Sequence, residues 1–268
     1  MSLRINNNIE AFNAHRQLVA NSTKLSGSME RLSSGLRINR AADDAAGLAI
    51  SERLRAQSTG LGQAQRNAQD AVSMVQTAEG SLNTVHAMLQ RVRELAVQYK
   101  NGSNSASDQT AIQSEVNQLA SEIERIGSSA DFNGIKLLNS TATISFQVGA
   151  NDSETITVAT ASLGSAVGTS YFALTSTGTT DISEIDAAIS NVSNQRATFG
   201  AVQNRLEHTL NNLATYQENL MASESRIRDV DMAAEMVQFT KYQILQQAGT
   251  SMLAQANQSP QSVLTLLR

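Results

Sequence analysis

Apolar residues recur at steps of three and four along most of this chain, and the breaks in that rhythm divide it into segments. Leu61, Ala64, Ala68, Ala71, Val75, Ala78, Leu82, Val85, Leu89, Val92, Ala96 and Tyr99 alternate the two steps without a fault. That is the seam of a coiled coil. Ile50 and Leu54 lead into it, and residues 46–100 as one helix would run about 80 Å. Asn101-Gly102-Ser103 predicts the end of this helix. Ser105 and Asp108 then have capping-box spacing, with Asp in place of the usual Glu. Ile112, Val116, Leu119, Ile123 and Ile126 predict a shorter helix that folds back antiparallel on the first.

The rhythm returns at Ile182, Ile185, Ile189, Val192, Arg196 and Phe199. It slips beside Gly200 and resumes through Val202, Leu206, Thr209, Leu213, Tyr216, Leu220 and Ile227. Near the N-terminus, Ile5, Ile9, Phe12 and Val19, then Leu18, Leu25, Met29, Leu32 and Leu36, mark a helix with one phase slip at Leu18 and Val19. Gly35 is placed to end it. Val230 to Ala256 reads as a helix with Ala234, Val237, Ile244, Ala248 and Met252 turned inward. Pro260, the only proline, is expected to stop or kink it before Val263, Leu264, Leu266 and Leu267.

Between Asp131 and Asp181 the period changes. Asn133-Gly134 is a turn signal, and Ile144, Phe146 and Val148, then Ile156 and Val158, alternate with polar residues as strands of a hairpin do. A lone hairpin is marginal, so it must lean on the helices. A Gly/Ser/Thr-rich stretch with little periodicity follows, from Thr160 to Thr180. The expected fold is mainly α: long antiparallel coiled-coil helices from both chain ends, with a small β-hairpin insert in the middle. The apolar tail from Gln243 to Arg268 needs a partner, and the N-terminal helix supplies one within the chain. Full burial of the tail, and its ordering, are expected only in a polymer.

Composition supports a helical, self-associating chain. Hydrophobic residues make up 41% but aromatic residues only 4%, with no Trp, which suits Leu, Ile, Val and Ala seams. Charged residues are 16%, against roughly 25% in an average soluble domain. Amide and hydroxyl side chains replace them, and such a surface is cheaper to desolvate against another subunit. The net charge is -4 with no basic tract, which argues against nucleic acid. There is no Cys, hence no disulfide framework, thiolate nucleophile or sulfur metal site. No apolar run is long enough to span a bilayer, so no membrane insertion is expected. MSLRINNNIE lacks the apolar core of a secretory signal, so any export is expected to proceed without a cleaved signal peptide.

Candidate chemistry is sparse. Asp43 and Asp44 form a paired carboxylate, but they sit where a helix starts, with no His or third carboxylate near in sequence. Capping, with a pairing to a nearby arginine such as Arg31 or Arg37, is preferred to a metal or acid–base site. His15, His86 and His208 lack ligand spacing, and no phosphate loop or nucleophile elbow occurs. No catalytic residue, metal site or cofactor is expected, and Met residues at helical spacing read as core fillers.

Five stretches together are specific: RLSSGLRINRAADDAAGLAI (Arg31 to Ile50), QRVRELAVQ (Gln90 to Gln98), FNGIKLL (Phe132 to Leu138), FQVGANDSETI (Phe146 to Ile156) and QILQQAGTSMLAQANQSPQSVLTLLR at the end. In this order the chain resembles bacterial flagellin, in a short form lacking large outer domains. The resemblance implies a secreted structural subunit that polymerises into the flagellar filament for swimming. It implies inner-core terminal helices over residues 1–45 and 229–268, and an outer-core bundle over 46–228 with its insert at about 131–181.

The resemblance also implies site residues. Ile5, Ile9, Phe12, Leu25, Met29 and Leu32 belong to the N-terminal assembly helix. Ile244, Leu245, Leu253, Val263, Leu264, Leu266 and Leu267 belong to the C-terminal assembly segment, which an export chaperone would bind first. Arg31, Arg37, Asp43 and Asp44 lie in the connector between inner and outer core. Arg91, Leu95 and Glu115 match positions recognised by the animal Toll-like receptor that senses flagellin, although each is an ordinary helix residue by pattern alone. Further implied partners are copies of the chain itself, the filament cap and the hook-associated junction proteins. The hook–filament junction protein is an alternative within the same apparatus. A monomeric secreted coiled-coil effector or adhesin is another from outside it. Sedimentation separates a polymer from either.

Overall fold

The computed structural model describes residues 8–167, Leu174 and residues 181–266, with the side chains of the last helix described as far as Gln258. In chain order the elements are α1 (Ile9–Ser34), α2 (Ala45–Tyr99), α3 (Ala106–Ser129), β1 (Asp131–Phe132), β2 (Ile135–Lys136), β3 (Thr143–Gln147), β4 (Thr155–Ala159), α4 (Leu163–Val167), α5 (Asp181–Arg228) and α6 (Met232–Leu266). The fold is mainly α with small antiparallel hairpins in the middle, as the periodicity predicts. The chain divides into two compact units, one of Met1–Ala56 with Asn219–Arg268, the other of Gln57–Glu218.

The central unit holds the core. From Leu61 to Ala96 every seam position of α2 is at most 2 % exposed. Met74 and Leu95, which lie off the seam, are equally buried because α2 is covered on two sides. Ile112, Val116 and Ile123 of α3 close one side, and Ile185, Val192, Phe199 and Leu206 of α5 close the other. Tyr216 departs from the expected seam: it is 48 % exposed. Ion pairs bridge both sides, Arg91 to Glu115 of α3 at 2.9 Å and Arg93 to Asp186 of α5 at 2.6 Å. The Ser105–Asp108 capping box is formed in full at the start of α3.

The hairpins lean on this core. Ile144 pairs with Val158 and Phe146 with Ile156, which puts the four apolar side chains on one face. Asn67 of α2 donates to the Gln147 carbonyl at 3.0 Å. Asn133 (φ 52) and Gly134 (φ 80) make the turn between β1 and β2, the left-handed pair that a two-residue hairpin needs. The stretch after Thr160 is less featureless than its composition suggests: α4 forms there, and Val167 and Leu174 enter the core.

In the other unit, α1 ends where expected, at Gly35 with φ 73. Two expectations for α6 are corrected. Pro260 does not stop it, since the helix runs to Leu266. The tail from Gln243 is also already helical as far as Leu266, and α6 packs along α1. Among the described residues, the buried apolar side chains of this unit are Ile38 and Leu220 alone. Two long helices with so thin a core are poorly insulated from water.

Candidate functional site

The face on which α1 and α6 meet mixes small, polar and large apolar residues. Cross-contacts run in opposite order along the two helices, so they are antiparallel. Asn8 Nδ2 donates to the Ala256 carbonyl at 2.7 Å. A Cβ on Gly249 would lie 3.2 Å from Leu18 Cδ1, so the two helices pass closely here. Lys24 Nζ stands 5.9 Å from the Tyr242 ring centre. Ser28 Oγ donates to Glu235 Oε1 at 2.5 Å, and Arg31 Nη1 lies 3.8 Å from the other carboxylate oxygen. Glu235 and Ser28 are buried, so each satisfies the other's polar group.

The half-buried or buried positions of α6 are Glu235, Phe239, Tyr242, Gln246, Gly249, Leu253 and Ala256. They keep the four-three step, in a different phase from the one expected. Ala234, Val237, Ile244, Ala248 and Met252 are exposed rather than inward. The covered face sets Gly249 and Ala256 among Phe239, Tyr242 and Leu253, so side-chain size and hydrophobicity alone do not give its phase. Pattern reading followed the large apolar residues and so missed Gly249, Ser28, Glu235 and Asn8. A legible signal was Gly249 itself, a glycine inside a helical stretch.

Many large apolar residues of this unit nevertheless point to solvent. Among the described residues, fifteen large hydrophobic side chains are exposed, and twelve of them lie in this unit. Phe12 is 73 % exposed, Val237 68 %, Ile9 and Ile244 60 %. Met29 and Leu245 also face outward, whereas Leu25, Leu32 and Leu253 are half-buried. The side chains of Ile5, Val263, Leu264, Leu266 and Leu267 lie outside the described ones. Isolated soluble chains rarely expose so much large apolar surface on paired helices; it marks faces that another protein covers.

The connector is built mainly from backbone. Leu36 and Asp229 form an antiparallel bridge, with Arg37 N–H donating to the Arg228 carbonyl at 2.6 Å and Val230 N–H to the Gly35 carbonyl at 3.0 Å. Arg37 Nη2 donates to the Ile227 carbonyl at 2.7 Å, and Arg228 pairs with Glu52 at 2.6 Å. Asp43 and Asp44 make backbone hydrogen bonds, the capping expected, and the arginines Arg31 and Arg40 act on Asp43 through their charge. Asp43 Oδ2 accepts the amides of Arg40 at 2.9 Å and Asn39 at 3.1 Å, and these bonds hold its carboxyl below the usual aspartate value. Asp44 caps α2 by accepting from Gly47 N–H at 2.9 Å. A Cβ on Gly47 would stand 2.4 Å from Asp44 Oδ2, so the cap as built requires glycine.

Arg91 and Glu115 form a half-exposed pair on the central unit, with Arg91 Nε and Nη2 both reaching Glu115 Oε1, at 3.0 and 2.9 Å. The hydrogen bond it donates to Glu115, then that to Glu94, raises the Arg91 guanidinium above its ordinary value. Leu95 is not with them at the surface: it is 2 % exposed and belongs to the core.

Comparison with known proteins covers nearly the whole chain. Residues 5–143 match the family model "Bacterial flagellin N-terminal helical region", and residues 182–267 match "Bacterial flagellin C-terminal helical region". A flagellin of Halalkalibacterium halodurans is 54% identical, covering 98% of this chain and 99% of that protein. The flagellin of Bacillus subtilis (strain 168) is 48% identical over 99% of this chain and all of that one, 100%. Among solved structures, the crystal structure of Bacillus cereus flagellin is 36% identical with a TM-score of 0.51, covering 55% of this chain and 88% of that one.

Proposed function

The chain belongs to the bacterial flagellin family and is a structural subunit that self-polymerises into the extracellular flagellar filament, and on that premise we propose how its parts divide the work. The terminal helices, residues 1–45 and 229–268, form the inner tube, and residues 46–228 form the outer layer. The observation that carries this reading is the outward turn of Ile9, Phe12, Met29, Val237, Ile244 and Met252 on paired helices that bury almost nothing of their own. Neighbouring copies complete the core that each subunit lacks. Each large apolar side chain fully buried there contributes about 1.5–3 kcal/mol. The relatives are flagellins along their full length, which favours a filament subunit over a junction protein or a monomeric effector.

Before assembly, the same C-terminal faces, with Ile244, Leu245, Leu253 and the segment Val263 to Leu267, suit an export chaperone that shields them during passage without a cleaved signal peptide. Cap and hook-associated junction proteins contact the same helix ends. Arg31, Arg37, Asp43 and Asp44 belong to the connector, where backbone bridges fix the path between α5 and α6. On the central unit, Arg91 and Glu115 are exposed enough to meet an animal Toll-like receptor, with Leu95 holding the helix beneath them. Arg91→Ala in purified monomer should weaken receptor activation; unchanged potency refutes that role.

The test of the assembly reading is truncation. Removal of Val263 to Arg268 should leave the helical signal of the central unit intact and abolish pelletable filaments. Normal filaments from the truncated chain would overturn it.

A further inference from the structure

The sulfur chemistry of the chain is concentrated on the assembly helices. Of its eight methionines, Met29, Met232, Met236 and Met252 are 48–64 % exposed on α1 and α6. Met221 of α5 is exposed as well, whereas Met74 is 2 % exposed and Met88 packs against the core of the central unit. The chain has no Cys and no Trp, so these thioethers are its most readily oxidised side chains.

We propose that Met29, Met232, Met236 and Met252 are a reversible oxidation site through which a peroxide withholds the subunit from the filament. This rests on the reading that neighbouring copies cover the faces of α1 and α6. The thioether sulfur attacks a peroxide oxygen; the S–O bond forms, the O–O bond breaks, and hydrogen peroxide leaves as water. Sulfur loses two electrons and the peroxide gains them. The product carries a strong acceptor on a flexible apolar side chain, with no donor waiting for it in an apolar contact. Met236 lies beside Val237, Thr240 and Ile244, so its sulfoxide would interrupt the apolar run of α6. Once the face is covered the sulfurs are sheltered, which makes the unassembled subunit the sensitive form.

The test uses full-length monomer treated with graded hydrogen peroxide, mapped by peptide mass, then seeded and pelleted. Peptides holding Met29, Met232, Met236 and Met252 should oxidise several-fold faster than those holding Met74 and Met88. The oxidised wild type should need about tenfold more protein to polymerise, the change expected when one buried apolar side chain becomes polar. A variant with Met29→Leu, Met232→Leu, Met236→Leu and Met252→Leu should polymerise equally well before and after treatment; Met221, left in place, controls for exposure alone. Methionine sulfoxide reductases A and B should restore pelleting to the oxidised wild type, a readout that does not depend on the variant. Equal oxidation of Met74 and Met88, normal polymerisation of oxidised wild type, or no rescue by the reductases overturns the proposal. Failure of untreated wild type to polymerise overturns the assembly reading instead, while the oxidation map still decides the site.

Discussion

The side-chain amide of Asn8 donates to the Ala256 carbonyl at 2.7 Å, and Ala256 stands four residues before Pro260. That carbonyl is the one Pro260, having no N–H, cannot satisfy. Asn8 replaces the missing donor and in the same position caps α1, its Oδ1 accepting from Ala11 N–H at 3.0 Å. One side chain thus starts one helix and lets the other pass its proline. Asn8→Ala should cost about 1–2 kcal/mol through the lost cap and the unpaired carbonyl. In a Pro260→Ala background, residue 260 regains its N–H and the cost should fall to that of the cap. A double-mutant cycle on helical melting checks this; additive effects would refute the link.

Gly249 predicts a graded series. Its added Cβ would meet the tip of Leu18 at 3.2 Å, and a leucine tip can rotate by a few tenths of an ångström. Gly249→Ala should therefore be neutral or gain up to about 1 kcal/mol from helix propensity. Gly249→Leu should drive α1 from α6 and reduce filament yield in pelleting assays. Equal behaviour of the two variants would show that close approach is unimportant there.

Stability and assembly should separate by unit. Leu89→Ala, at 0 % exposure, should destabilise the monomer by about 2–5 kcal/mol. Val237→Ser and Ile244→Ser, on exposed faces, should stay within about 0.5 kcal/mol of wild type in monomer melting yet lose polymerisation. Hydrogen exchange of the monomer should follow the same division, with slow amides in α2 between Ala68 and Ala96 and fast ones in α1 and α6. Comparable protection in both would contradict the thin-core description.

Acid should loosen the start of α3. Hydrogen bonds from the Ser105 hydroxyl and then the Ser105 amide hold the Asp108 carboxyl below its ordinary value of 3.8. A lowered folded value means the stabilisation is fully present above that ordinary value and is lost as pH falls through the lower one. Amides of residues 106–109 should exchange faster, beyond the intrinsic change with pH, as the solution passes below the ordinary aspartate range. Asp108→Asn should remove that transition; its persistence would place the titrating group elsewhere.

Much of this protein was legible without coordinates. An unbroken alternation from Leu61 to Ala96 leaves one helical face to bury, and that face is buried. Asn133-Gly134, Ser105 with Asp108, and Gly35 announced their turn, cap and stop because local backbone chemistry decides each of them. The terminal helices were different. Large apolar residues lie on several of their faces, and the pair meets on one that also holds Gly249, Ser28 and Ala256. Leu95 shows the same limit in the central unit, where a second neighbour buries a position that one seam would leave open. Local sequence determined which residues form helices, hairpins and caps, because those choices are made within a few residues. Only the tertiary structure decided which faces are spent inside the chain and which are left outward for other subunits, because that depends on how closely distant segments can approach.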